Sequence, residues 1–157
     1  MSQHHCHRGS DLVGHLNCRN LTELDVAVAK GRLAKPKSWA DPLLDVLRER
    51  GIRHEQAYVD HLREEGRTVQ TIPGVGFETD AVAATAQAMS QGVAVIVQGA
   101  FLTDNWGGRV DILSRVEIPS ALGPWSYEVV DTKLSRETKG GTVLQLSLYS
   151  DLEGRRD

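Results

Sequence analysis

The stretch VAVIVQGAFLTDNWGGRVDILSRV, which runs from Val93 to Val116, decides the fold of this chain. Its first ten residues are rich in Val, Ile and Phe, a composition typical of a buried strand. The turn sequence NWGG follows at residues 105–108, and a second strand-like segment covers residues 109–116. The stretch therefore predicts an antiparallel hairpin at the centre of the molecule.

The segments on either side of the hairpin are mainly helical in pattern. Asp41 and Pro42 form a strong helix start, because aspartate accepts hydrogen bonds at an N-cap and proline fits the first turn. Gly51 predicts a break or bend within that helix. Residues 69–75 suit a short strand or an extended loop. We further predict helices and a third strand, in chain order, over residues 11–17, 20–30, 41–66, 80–91, 126–134 (the strand) and 142–149.

This order of elements predicts an α+β fold, with a small mixed sheet of about three strands flanked by helices. The length of 157 residues suits one domain with a real core but not two. Residues 1–10 contain the run HHCH, which could bind a transition metal. We expect a disordered leader instead, because adjacent ligands on a loose segment have no supporting contacts. The domain then covers residues 11–151, and residues 152–157 form a frayed tail.

Composition and charge limit the classes of function. No apolar run approaches the length of a membrane helix, and the N-terminus lacks the apolar core of a signal peptide. We therefore expect a cytoplasmic protein without a membrane partner. The net charge of −3 argues weakly against a domain that binds nucleic acid passively. It does not argue against a nuclease, because an acidic metal site adds negative charge and the bound cation attracts phosphate.

The strongest chemical signal lies on the third strand, where Asp131 and Lys133 point to the same face because side chains alternate along a strand. Such a pair is often an ordinary surface ion pair of little energetic value. Asp111 adds a second carboxylate, and apolar residues flank it on both sides. A carboxylate in that setting is costly unless it is paired or metal-bound. If the two strands are neighbours, the aspartates converge on a cation such as Mg²⁺ or Mn²⁺.

These residues resemble the motifs of a known nuclease family. Asp111, followed twenty residues later by the D-x-K sequence of residues 131–133, resembles the PD-(D/E)XK superfamily, and in particular its RecB-type branch. The sequence GIRHE at residues 51–55 is similar to the G-x-x-x-H-like motif of that branch. The sequence QLSLY at residues 145–149 matches its Q-x-x-x-Y motif. The resemblance covers roughly residues 12–151, nearly the whole chain.

The resemblance implies a restriction-endonuclease-like fold with the core order α-β-β-β-α. It implies hydrolysis of phosphodiester bonds in DNA, in single strands or at duplex ends. Val110 stands where the superfamily has its naming Pro, and aspartate replaces the more common Glu of the D-x-K motif; neither change removes a metal ligand. The resemblance implies that Mg²⁺ or Mn²⁺ is held by His54, Asp111, Asp131 and the backbone carbonyl of Thr132. The implied catalytic set is Asp111, Asp131, Lys133, Gln145 and Tyr149.

Each motif residue also has an ordinary interpretation. Taken alone, His54 is best explained as a solvated helix histidine, and the Q-x-x-x-Y pair as a polar stripe on a surface helix. Glu55 points about 100° away from His54 on the helix, which makes it the second choice as a metal ligand. Arg109 either contacts phosphate or is an exposed strand residue. Trp106 either stacks on a base or packs against the hairpin.

Part of the family pattern is missing. Relatives continue with a strand after the Q-x-x-x-Y helix, and many hold a four-iron cluster on one early cysteine and three late ones. Cys18 stands where the first of these would be, and the other three are absent. We expect Cys18 to be a buried thiol rather than an orphan iron–sulfur ligand, with a [4Fe–4S] cluster only in a longer protein. We therefore expect a truncated member whose exposed sheet edge lowers its stability.

The sequence thus predicts a metal-dependent DNA nuclease. The alternative is a catalytically inactive fragment of a longer nuclease that binds nucleic acid or a protein partner. A third interpretation is a structural piece whose charges are ordinary surface residues. The sequence leaves open the choice between exonuclease and endonuclease, the choice between DNA and RNA, the pathway and the oligomeric state.

Overall fold

The computed structural model describes residues 6–37, 39, 41–103, 106–132 and 140–154. Over these residues the chain forms an α+β domain with five helices and four strands. The predicted α+β class and the small mixed sheet are confirmed. In chain order the elements are α1 Gly9–Asn17, α2 Arg19–Ala29, α3 Pro42–Glu64, β1 Val69–Thr71, α4 Thr79–Ser90, β2 Val95–Leu102, β3 Gly107–Val116, β4 Ser126–Val130 and α5 Gly140–Gly154.

The sheet has the strand order β1-β2-β3-β4. The short strand β1 pairs parallel to β2. The pairs β2 with β3 and β3 with β4 are antiparallel. The hairpin predicted from residues 93–116 is therefore confirmed as β2 and β3. The prediction of about three strands did not count β1. For residues 69–75 the sequence had predicted either a short strand or an extended loop. β4 ends at Val130, before the predicted end at residue 134.

Two hydrophobic clusters pack on the two faces of the sheet. On one face, α3 contributes Val59 and Leu62, which pack with Val95, Val97 and Ile112. In the second cluster, α4 and α5 pack against the same strands. Its buried members include Ile72, Ala88, Met89, Ile96, Phe101, Val110, Leu113 and Tyr149. Each large apolar side chain buried in this way stabilises the fold by about 1.5–3 kcal/mol.

The helix ends agree in part with the predictions. Asp41 caps α3, since its Oδ1 accepts a hydrogen bond from the backbone N–H of Leu43 at 2.9 Å. The helix then continues through Gly51, so the break predicted there does not interrupt it. At the N-terminus, the backbone carbonyl of His7 accepts a hydrogen bond from Gly107, within the segment predicted to be a loose leader. Among the described residues, no helix combines the length and the apolar character needed to cross a bilayer.

Candidate metal centre

The two aspartates singled out from the sequence meet where β3 and β4 part. The ladder between these strands ends at the pair Ile112 and Val130. Continuing that register by one residue sets Asp111 opposite Asp131, just beyond the end of β4. Cross-strand neighbours in an antiparallel pair have Cβ atoms about 5 Å apart, so the two side chains are within contact range.

The carboxyl groups of Asp111 and Asp131 lie within interaction range of each other, and the backbone N–H of Thr132 lies on the Asp111 side of the pair. The pKa of Asp111 is raised from 3.8 to about 7. Burial is the largest cause, followed by the hydrogen bond to Asp131 and then by the negative charges of Asp131 and Glu55; the Thr132 N–H opposes the shift. Asp111 therefore keeps its proton to a higher pH than an ordinary aspartate does.

Helix α3 contributes Glu55, the second choice from the sequence, to the surroundings of this pair. Glu55 is half-buried, and its Oε1 accepts a hydrogen bond from Nε2 of Gln98 at 2.9 Å. His54, the first choice, is exposed. The negative charge of Glu55 is one of the causes that raise the pKa of Asp111. The structure thus places Glu55 near enough for its charge to act on Asp111, and it leaves His54 in a solvent-exposed position.

The predicted residues of α5 also lie at this site. Gln145 and Tyr149 line a small cleft together with Asp111 and Asp131. Tyr149 is buried, and its hydroxyl lies 3.5 Å from Nε2 of Gln145. A surface polar stripe therefore does not describe this pair. It is packed so tightly that a Cβ atom added at Gly108 would lie 2.8 Å from the Tyr149 hydroxyl.

Three other residues were predicted to belong to a metal or cluster site: Lys133, Thr132 and Cys18. Lys133 lies outside the described residues, so its place relative to the aspartates stays a prediction. Thr132 is half-buried next to the pair, and its Oγ1 is buried without a hydrogen-bond partner within the described part of the chain. Cys18 is exposed between α1 and α2, so the expectation of a buried thiol is wrong. The short helices α1 and α2 do not enclose the junction between them.

Arg109 is neither an exposed residue nor one placed to meet a phosphate. Its guanidinium is half-buried and donates to the backbone carbonyls of Ile72, Pro73, Gly76 and Gln98, at distances from 2.6 to 3.3 Å. Burial lowers the pKa of Arg109, and the charge of Glu78 opposes that shift. The side chain therefore ties the loop after β1 to the middle of β2, beside the aspartate pair. Trp106 packs against the core beside the His7 ring, as the hairpin interpretation predicts.

The chemistry of the donor set fits a hard divalent cation in part. In the described ranges, no three His, Cys, Asp or Glu side chains form a group that could hold a metal ion by itself. Two adjacent carboxylates with a buried Thr132 hydroxyl nearby are nevertheless an oxygen-rich set. Magnesium sites often use only one or two carboxylates, with water and substrate phosphate completing the shell. The pair is thus sufficient as the protein's share of such a site.

Sequence reasoning missed Gln98 and Gly108. Gln98 did leave a signal, because it is the polar residue within the apolar run of β2. A polar side chain in such a strand must find a partner, and here it is Glu55. Gly108 was assigned to the turn. Its missing side chain leaves room for Tyr149, and this contact joins residues far apart in the sequence.

Comparisons with protein-family models, with curated proteins and with solved structures find no match for this chain. The interpretation of the site therefore depends on its own geometry and on the sequence motifs. The aspartate pair is the part of that geometry on which a function can be argued.

The raised pKa of Asp111 predicts how stability depends on pH. Because the pKa is higher in the folded protein than in the unfolded chain, this group's contribution to the free energy of unfolding is full below about pH 4. It is lost as the pH rises to about 7. We expect urea unfolding in a chelator to give a lower free energy of unfolding at pH 8 than at pH 5. Asp111→Asn should remove this part of the difference, and an unchanged difference would contradict the assignment.

Proposed function

We propose that this chain is the core of a divalent-metal-dependent DNA nuclease of the RecB type, with a restriction-endonuclease-like fold. Asp111 and Asp131 are its cation-binding pair. The observation that carries the proposal is the contact between these two carboxyl groups at the parting of β3 and β4. Two carboxylates brought together in a partly buried place repel each other unless a proton or a cation lies between them.

The order of the surrounding elements supports the same family. A helix carrying Glu55, the β2–β3 hairpin carrying Asp111, a strand leading to Asp131 and a helix carrying Gln145 and Tyr149 follow one another along the chain. Four elements far apart in sequence contribute to one small region. This arrangement agrees with the order of the four motifs along the sequence.

Each residue has a proposed task. Asp111 and Asp131 bind Mg²⁺ or Mn²⁺, with Glu55 favoured over His54 as the contribution of α3. A cation held there would supply polarisation of the phosphodiester and easier ionisation of the attacking water. Gln145, on the wall of the cleft, orients the DNA backbone beside the pair, and the buried Tyr149 holds Gln145 in position. Lys133 stabilises the negative charge that develops on the phosphate.

The test is cleavage of end-labelled single-stranded and duplex DNA by the purified chain, with Mn²⁺, with Mg²⁺ and with a chelator. We expect metal-dependent cleavage that Asp131→Asn lowers by at least about a hundredfold. Glu128→Gln is the matched control, because it removes an exposed carboxylate from the neighbouring strand β4 and should leave cleavage unchanged.

Two outcomes would contradict the nuclease proposal. The first is cleavage that persists in Asp131→Asn or in the chelator. The second is a folded protein that binds DNA with a steep salt dependence but never cuts it, which would favour a non-cutting binding module. The net charge of −3 counts against that module, since nothing but the cation would then offset the repulsion of phosphate.

A further inference from the structure

Gln98 has an unusual backbone for its place in the fold. It lies in the middle of β2 with φ of +57°, and within the described residues no other residue except glycine has a positive φ. Residues with a Cβ rarely adopt this left-handed conformation, and a strand has no need of it. Contacts around Gln98 must therefore hold it there, and such positions cluster at functional sites.

Both ends of Gln98 are held. Its backbone carbonyl accepts a hydrogen bond from Nη2 of Arg109 at 2.6 Å, and its side-chain amide donates to Oε1 of Glu55 at 2.9 Å. The neighbouring Val97 also packs against α3. Two consecutive side chains therefore reach the same helix, which a regular strand with alternating side chains does not allow. The left-handed turn is what directs the Gln98 amide to α3.

The position of Gln98 connects Glu55 with the aspartates. The β2–β3 ladder pairs Val97 with Ile112 and Gly99 with Val110, which sets Gln98 opposite Asp111. Glu55 is thus bonded to the residue that faces Asp111 across the strands. Its charge is close enough to contribute to the raised pKa of Asp111.

We propose that Gln98 is a positioning residue, which holds the Glu55 carboxylate on the side of Asp111 and Asp131, where its charge supports the cation that those two aspartates bind. The inference rests on the proposed function. It explains why a strained glutamine interrupts an otherwise apolar strand at this point. It also gives Arg109 a part in the site, because its guanidinium fixes the carbonyl of Gln98.

Gln98→Gly separates this task from the fold. Glycine adopts a left-handed backbone without strain, so the melting temperature should change little although the amide is lost. Calorimetric titration with Mn²⁺ should show an affinity about tenfold weaker than in the wild type, the lower end of the effect expected for a residue that supports a metal ligand. Gln98→Asn is the second variant, because asparagine tolerates this backbone but its amide is one methylene too short to reach Glu55.

Two further variants decide whether Gln98 acts through Glu55. One is Glu55→Gln, and the other is the double variant that combines it with Gln98→Gly. We expect the double variant to bind Mn²⁺ no more weakly than Glu55→Gln alone. Gln56→Ala is the control, since it removes an exposed glutamine–carboxylate bond, to Asp60, from the same helix. Wild-type affinity in both folded Gln98 variants, or additive losses in the double variant, overturns the inference alone. A folded wild type that takes up no Mn²⁺ overturns the proposed function, and this inference with it.

Discussion

Replacing Asp111 by asparagine is expected to stabilise the metal-free protein at pH 8 and to abolish its uptake of Mn²⁺. Asparagine has the same shape, its amide can donate to Asp131, and its carbonyl can still accept from the N–H of Thr132. The variant thus keeps the hydrogen bonds and removes the buried charge. We expect a gain of about 1–2 kcal/mol in the free energy of unfolding, less than the full pKa shift implies, because solvent screens part of the repulsion.

The opposite signs of the two effects make this variant informative. A residue that serves the fold alone should lose stability when it is replaced, whereas a residue kept for its chemistry can gain it. Urea unfolding in a chelator measures the first effect, and calorimetric titration measures the second. A variant that is less stable than the wild type at pH 8 would show that the Asp111 charge is satisfied by the protein, which contradicts the account of the pair.

Arg109→Met is expected to cause the largest loss of stability, about 3–5 kcal/mol. Methionine fills most of the space, but the carbonyls of Ile72, Pro73, Gly76 and Gln98 lose their donor. The bonds to Ile72, Gly76 and Gln98 are partly buried, so the loss of the donor is costly for these three carbonyls, whereas the carbonyl of Pro73 is exposed and can bind water instead. The loop after β1 and the left-handed turn in β2 should loosen together.

Arg115→Met is the matched control for this loss. Arg115 lies on the same strand, but it donates to a single backbone carbonyl, that of Gly92, and forms an exposed ion pair with Glu117. It also covers the Trp125 ring at 4.7 Å, a contact that methionine can replace in part. We expect a loss of about 1 kcal/mol. Equal losses in the two variants, measured by urea unfolding, would contradict the special role of Arg109.

Local sequence signals could predict the elements that follow from period and turn chemistry. The hairpin of residues 93–116 followed from an apolar run and a glycine-rich turn, and the start of α3 from Asp41 and its proline. The meeting of Asp111 with Asp131 could be stated only on the condition that their strands are neighbours. The register of β3 and β4 meets that condition.

The features that sequence reasoning missed depend on contacts between distant residues. Nothing local distinguishes His54 from Glu55, because the rotation of α3 about its axis is set by the packing of Val59 and Leu62 against the sheet. The left-handed turn at Gln98 likewise depends on Arg109, eleven residues away on another strand. Gly51 was expected to interrupt α3, but a glycine costs a helix only about 1 kcal/mol, which the packing of the remaining turns offsets.

Titration calorimetry of the full chain with Mn²⁺, at a series of pH values, most directly measures the binding of a cation to Asp111 and Asp131. We expect one binding site whose affinity is constant above about pH 7 and falls about tenfold per pH unit below it, because the ion displaces the proton held by Asp111. The variant with asparagine at both 111 and 131 should give no binding heat. A folded wild type that gives none, or a double variant that binds as tightly as the wild type, would contradict a cation site at this pair.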